Sequence, residues 1–193
     1  MHGMVNRGLQ CFVVSIYGSE VWHEVCADAD LPFQNFETVL PYDEFYSELI
    51  LDSISQIVQR KRDEILEDFG TFLVSEHCSP SVRRLLRLGG VNYVGFLHSL
   101  EDVYDRASIA IPDLDMPLMQ VDRKAADEFI VKYEFEKQGY GAVFLGLLRA
   151  MADDYGALVT VTHQPRVQGG IDRDIFRIHI FNDAGLNSQP SAA

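Results

Sequence analysis

Glu128-Phe129-Ile130-Val131-Lys132-Tyr133-Glu134-Phe135-Glu136 is the stretch at which the periodicity of this chain changes. Towards its end apolar and charged residues alternate, which puts Val131, Tyr133 and Phe135 on one face of a strand and Glu134 and Glu136 on the other. Going outward to the C-terminal side, Tyr140 to Tyr155 returns to a helical pattern. Ala157–His163 and Asp174–Phe181 then read as two strands around a Gly169-Gly170 turn. On the N-terminal side almost everything is helical. Val5, Leu9, Phe12, Val13 and Ile16 recur at three- and four-residue spacing, and Tyr17-Gly18-Ser19 marks a stop and a new start. A second helix carries Val21, Trp22, Val25 and Cys26 and ends before Leu31-Pro32. Further helical pattern runs from Asp43 to Asp68, with Phe69-Gly70 as an end or a new beginning. Ser81 to Leu88 and Asn92 to Ile109 follow, and Ile111–Pro117 is a proline-punctuated loop. Helices first and strands gathered late predict an α+β fold, a helical half packed against a half with an antiparallel sheet and a helix. The expected organisation is one domain over residues 1–185, divided near residue 65, with a frayed polar tail at 186–193.

Composition narrows the function. The chain has 193 residues, 47% of them hydrophobic, enough for one ordinary core or a buried cofactor. Sixteen basic against 29 acidic residues give a formal charge of −13, which opposes binding to nucleic acid or anionic lipid. No apolar run approaches the roughly 20 residues that cross a bilayer, and the N-terminus has no signal-peptide pattern, so a cytoplasmic location is expected. Cys11, Cys26 and Cys78 form no CxxC pair and read as isolated thiols in a reducing compartment. His77-Cys78, His163 and His179 lack the short fixed spacing of a zinc motif. There is no phosphate-binding glycine loop and no Gly-x-Ser-x-Gly elbow. Carboxylates such as Asp113, Asp115, Asp153 and Asp154 read as solvated surface in so acidic a chain. An enzyme is not expected.

Several landmarks occur in order along the chain: Met1-His2-Gly3 with Asn6, Tyr17-Gly18, Trp22, Phe69-Gly70 with Phe72, Phe96-Leu97 with Leu100, Pro117, Tyr133 and Phe144-Leu145-Gly146-Leu147. Together they resemble the heme nitric oxide/oxygen-binding (H-NOX) sensor domains from Met1 to about Phe181. The resemblance implies a heme b held between the helical and sheet halves, with a proximal histidine on iron. It also implies a proline at Pro117 pressing on the heme and a Tyr-x-Ser-x-Arg triplet gripping the propionates. Ligand binding would move the halves against each other and alter a partner, a histidine kinase or a cyclic-nucleotide enzyme.

Three residues depart from that pattern. Tyr104, in Phe96-Leu97-His98-Ser99-Leu100-Glu101-Asp102-Val103-Tyr104, stands at the position of the iron-binding histidine. In Tyr133-Glu134-Phe135-Glu136-Lys137, Phe135 replaces the serine and Lys137 the arginine. A neutral imidazole suits ferrous iron, whereas a phenol must first lose a proton from a group of pKa about 10 and then favours ferric iron. Lysine is a point donor where arginine offers a planar fork, and phenylalanine donates nothing. Each lost charge-assisted hydrogen bond costs roughly 1.5–3 kcal/mol of heme affinity. On one continuous helix Leu97 and Leu100 share the face of Tyr104, while His98 lies about 240° away and reads as a surface residue. Met4, Met116, Met119 and Val5 suit either a core or a cofactor box. Val143 falls where oxygen-binding relatives of the family carry a tyrosine, with Tyr140 nearby.

The expected function is therefore a sensory or regulatory domain that reports occupancy of a cavity between its halves to a partner. Its residues disfavour ordinary histidine-ligated heme, which leaves an unidentified apolar ligand as the other occupant. One alternative is a heme-binding nitric oxide sensor with Tyr104 or another residue on the iron. Another is a ligand-free protein-interaction module whose acidic surface docks a partner.

Overall fold

A computed structural model describes residues 3–75, 87, 90–110 and 114–181 of the chain. Two helices, α1 (Gly3–Tyr17) and α2 (Ser19–Asp28), flank Gly18, and α3 (Glu44–Val58) and α4 (Arg62–Val74) follow. α3 starts on an Asp43 side chain that accepts a hydrogen bond from the Phe45 N–H, the expected chemistry of an N-cap. Sequence periodicity reads Asp43–Asp68 as one pattern. The chain instead turns at Gln59, whose φ of 53° stops α3. Gln59 is not a glycine, so no conventional stop signal marks this break.

α4 then runs straight through Phe69-Gly70, where a helix end is one of the two sequence readings. The glycine is there for packing. A Cβ at Gly70 would collide with the Val143 carbonyl oxygen, and one at Gly146 with the Glu67 carbonyl oxygen. The two glycines let α4 cross a helix of the other half, α7 (Gly141–Asp154), backbone against backbone. An Arg149–Glu67 ion pair flanks the crossing.

The second half opens with α5 (Tyr93–Ser99), a 3₁₀ turn at Leu100–Asp102 and α6 (Val103–Ala110). β1 (Leu118–Arg123), β2 (Glu128–Phe135), β3 (Leu158–Gln164), β4 (Val167–Gln168) and β5 (Ile171–Phe181) form an antiparallel sheet ordered β1-β2-β5-β3, with β4 paired to β5. β4 turns into β5 through Gly169 and Gly170, both at positive φ as a tight two-residue hairpin requires. β1 has no counterpart in the sequence reading: it is a short edge strand whose only fully buried residue is Met119. Ser81–Leu88, apart from Arg87, and the polar tail at 186–193 lie outside the described residues. Among the described residues no helix is long and apolar enough to cross a membrane.

Two cores result. In the helical half Leu9, Phe12, Trp22, Ile50, Ile54, Ile65, Leu66, Phe69 and Phe72 pack together, so α4 belongs mainly to this side. In the sheet half Phe96, Leu97, Leu100, Val131, Tyr133, Phe144, Leu148, Phe176 and Ile178 form the other. Phe135 packs against both.

Candidate functional site

A cleft of about 840 Å³ lies where the two halves meet, walled by the start of α3, by α6, by the segment before β1 and by the end of β2. Tyr104 and Ser108 of α6 line it, together with Leu114, Asp115, Met116, Phe135, Lys137 and Tyr140. The 3₁₀ turn positions Tyr104. Its Glu101 carboxylate accepts the Val121 N–H on the outer edge of β1, and Arg106 donates back to the Ser99 carbonyl at 2.7 Å. This turn breaks the uniform helical register. Leu97 and Leu100 are sealed in the sheet-side core at 0% and 1% exposure, while Tyr104 emerges into the cleft at 42%. The structure thus brings Tyr104 to the cleft and leaves the two leucines out of it. His98 is exposed and rests edge-on against Phe129.

Lys137 forms the electrostatic centre. Its ammonium lies 2.8 Å from Glu44 at the first turn of α3 and 2.9 Å from Asp115 in the segment before β1. Its side chain is only 12% exposed. Burial alone would lower its pKa, but the hydrogen bonds it donates to Glu44 and Asp115 outweigh burial and hold it above its ordinary value. The same cleft is faced by Glu48, Glu134 and Glu136. Arg62 meets Glu48 at 2.6 Å, and Arg173 meets Glu134 at 3.3 Å.

Behind this charged mouth the space is filled with rings. Tyr133 stacks on Phe144 with centroids 5.3 Å apart, Phe135 meets both Tyr133 and Tyr140 edge-on, and Phe144 meets Phe176 at 5.0 Å. Burial pushes the Tyr133 hydroxyl pKa up, reinforced by Asp172 and Asp174 across the β2–β5 register. Burial, then Glu48, does the same for Tyr140. The Tyr140 hydroxyl is buried near Glu48. Met4 on α1 and Val143 on α7 are half-buried away from the cleft wall, and Pro117 sits between the wall residues Met116 and Leu118.

A second polar cluster underlies the start of α7. Asp172 Oδ2 accepts the Gly139 N–H at 2.7 Å, Asp174 Oδ1 accepts the Arg166 N–H at 2.8 Å, and Asp174 Oδ2 meets His163 Nε2 at 2.7 Å. Both aspartates are 3% exposed, and burial, more than Asp174, pushes the Asp172 pKa up. His163 also stacks on Phe176. Among the described residues no group of three His, Cys, Asp or Glu could hold a metal ion.

The Haem-NO-binding family profile matches residues 2–163. The chain belongs to this family. Soluble guanylate cyclase 89Db of Drosophila melanogaster is 22% identical over 158 residues, 82% of this chain and 24% of that protein. Soluble guanylate cyclase gcy-31 of Caenorhabditis elegans is 19% identical over 100% of this chain and 28% of its own length. The chain therefore spans about a quarter of these curated relatives. Among solved structures, an H-NOX variant carrying 4-cyano-L-phenylalanine superposes with a TM-score of 0.82 at 19% identity, covering 94% of this chain and 97% of that one. An oxygen-bound H-NOX domain related to soluble guanylate cyclases gives 0.78 at 19% identity, covering 94% and 96%. The α+β fold is that of H-NOX domains.

Sequence reasoning did not find Glu44, and it took Asp115 for solvated surface. Nothing local marks either one. Both acquire a role only because the fold carries α3 and the segment before β1 to Lys137.

Proposed function

We propose that this chain is a sensory domain of the heme NO/O2-binding family whose cleft is not built for histidine-ligated heme, and which reports the state of that cleft to a partner. The observation that carries this reading is the Lys137 cluster. At the position of the family's propionate-gripping arginine, a lysine is already held by two carboxylates of the chain itself.

The family cofactor fits the described residues poorly. Its two propionates would enter a mouth already faced by Glu44, Glu48, Asp115, Glu134 and Glu136. Phe135 fills the place of the serine hydroxyl and joins the two cores with its ring. Tyr104 offers the one oxygen ligand at the histidine position, in a half-open setting beside those carboxylates. A small molecule without carboxylates is the better match to this acid-lined cleft.

The likeness to soluble guanylate cyclases supports a cyclic-nucleotide enzyme as the partner, in preference to a histidine kinase. The domain itself is read as non-catalytic. An absorption spectrum of protein expressed with heme supply tests the reading. The expected outcome is no stoichiometric Soret band, followed by identification of any extracted ligand by mass spectrometry. A stoichiometric band that shifts with nitric oxide under reduction contradicts it, and a ferric band abolished by Tyr104→Phe supports tyrosine ligation instead.

A further inference from the structure

We infer that Glu44 and Asp115 are built-in surrogates for a ligand's carboxylates, an autoinhibitory contact that closes the cleft to dicarboxylate ligands such as tetrapyrroles. This rests on the reading of the cleft given above and adds the device that enforces it. Three chain segments converge on one ammonium. Glu44 comes from the helical half, Asp115 from the segment before β1, and Lys137 from the segment after β2.

The geometry is that of a filled carboxylate site. Both contacts are within charge-assisted hydrogen-bond distance, and the lysine is nearly sealed while its partners' side chains are 50% and 55% exposed. An incoming dicarboxylate must displace two acids that are covalently part of the protein, and hence present at high effective concentration. It must also approach past Glu134 and Glu136, which line the same cleft. Because Glu44 begins α3, the contact also ties the helical half to the sheet half across the mouth. Release of the contact is then the step that opens the cleft.

Titration of the purified chain with ferric heme, followed by absorption, tests the contact. Glu44→Gln with Asp115→Asn is expected to tighten heme binding at least tenfold over the unaltered chain, and Asp115→Asn alone by less. Adding Lys137→Gln should abolish the gain. Heme dimethyl ester, which lacks ionised propionates, should show none. The charge-matched pair Glu134→Gln with Glu136→Gln should give little, since it removes the same charge from the same cleft without touching Lys137. The inference is overturned by an unchanged affinity in the double variant. It is equally overturned by a gain that survives Lys137→Gln, that appears equally with the ester, or that the charge-matched pair reproduces. Should the double variant fold poorly, Asp115→Asn carries the same comparison. Tight stoichiometric binding by the unaltered chain would contradict the proposed function, whereas the contact is judged on the difference between variants.

Discussion

At the scale of single residues, three positions define the chemistry: Tyr104, Lys137 and Asp172. Lys137 is buried enough that removing its charge leaves Glu44 and Asp115 facing each other. Because both acids are half-exposed, the expected loss from Lys137→Gln is only about 1 kcal/mol, measured by urea unfolding at neutral pH. Asp172 gives a pH dependence of definite sign. Its folded-state pKa is raised, so the folded protein holds a proton that the unfolded chain has lost just above the ordinary carboxylate value near 3.9. Stability therefore declines as pH rises through that window. Asp172→Asn keeps an acceptor for the Gly139 N–H and removes the titration. As pH rises from about 4, its urea midpoint should fall less than that of the unaltered chain, and an identical slope in both would refute this assignment. The substitutions at Tyr104, Phe135 and Lys137 are legible in the sequence because each breaks a local motif. The polar cluster beneath α7 is not: alternation puts Asp172 and Asp174 on the inward face with Phe176 and Ile178, but nothing local names the Gly139, His163 and Arg166 groups that meet them there.

At the scale of elements, the crossing of α4 and α7 shows how one residue type carries two meanings. Phe69-Gly70 resembles a helix stop, yet Gly70 and Gly146 exist so that two backbones can touch. Gly70→Ala is accordingly expected to cost about 3 kcal/mol through overpacking, far more than alanine's helical preference returns. A thermal melt that is unchanged or raised would contradict the crossing. The α5–α6 region teaches the complementary lesson. Periodicity reads Asn92–Ile109 as one helix with Leu97, Leu100 and Tyr104 aligned, but the 3₁₀ turn, pinned to β1 through Glu101 and Val121, separates them. β1 itself escapes the sequence because an edge strand with one buried side chain has almost no hydrophobic alternation to display. The strands β2, β3 and β5 are legible because each runs along a core and alternates accordingly.

At the scale of the whole molecule, two cores meet at Phe135, and the cleft opens beside that seam. The seam is held by the Phe135 ring, by Tyr140 and Ala142 packed into the helical core, by the Lys137 ion cluster and by the glycine crossing. Restoring the family's residues should reverse the account. Tyr104→His with Phe135→Ser and Lys137→Arg is expected to increase heme uptake, at a cost in stability for the lost ring of about 3 kcal/mol. No gain would mean that Glu44 and Asp115, which this variant retains, or the surrounding aromatic packing still exclude heme independently of these three positions. The fold class and the family's landmarks were readable from one sequence, because they rest on periodicity and on local motifs. The cleft's charge balance was not, because Glu44, Asp115 and Lys137 meet only in three dimensions. The most direct test of the central claim is the absorption spectrum of the purified chain after expression with heme supply, reduced and exposed to nitric oxide. The account predicts no stoichiometric Soret band. A full-occupancy band that shifts on nitric oxide binding would contradict it.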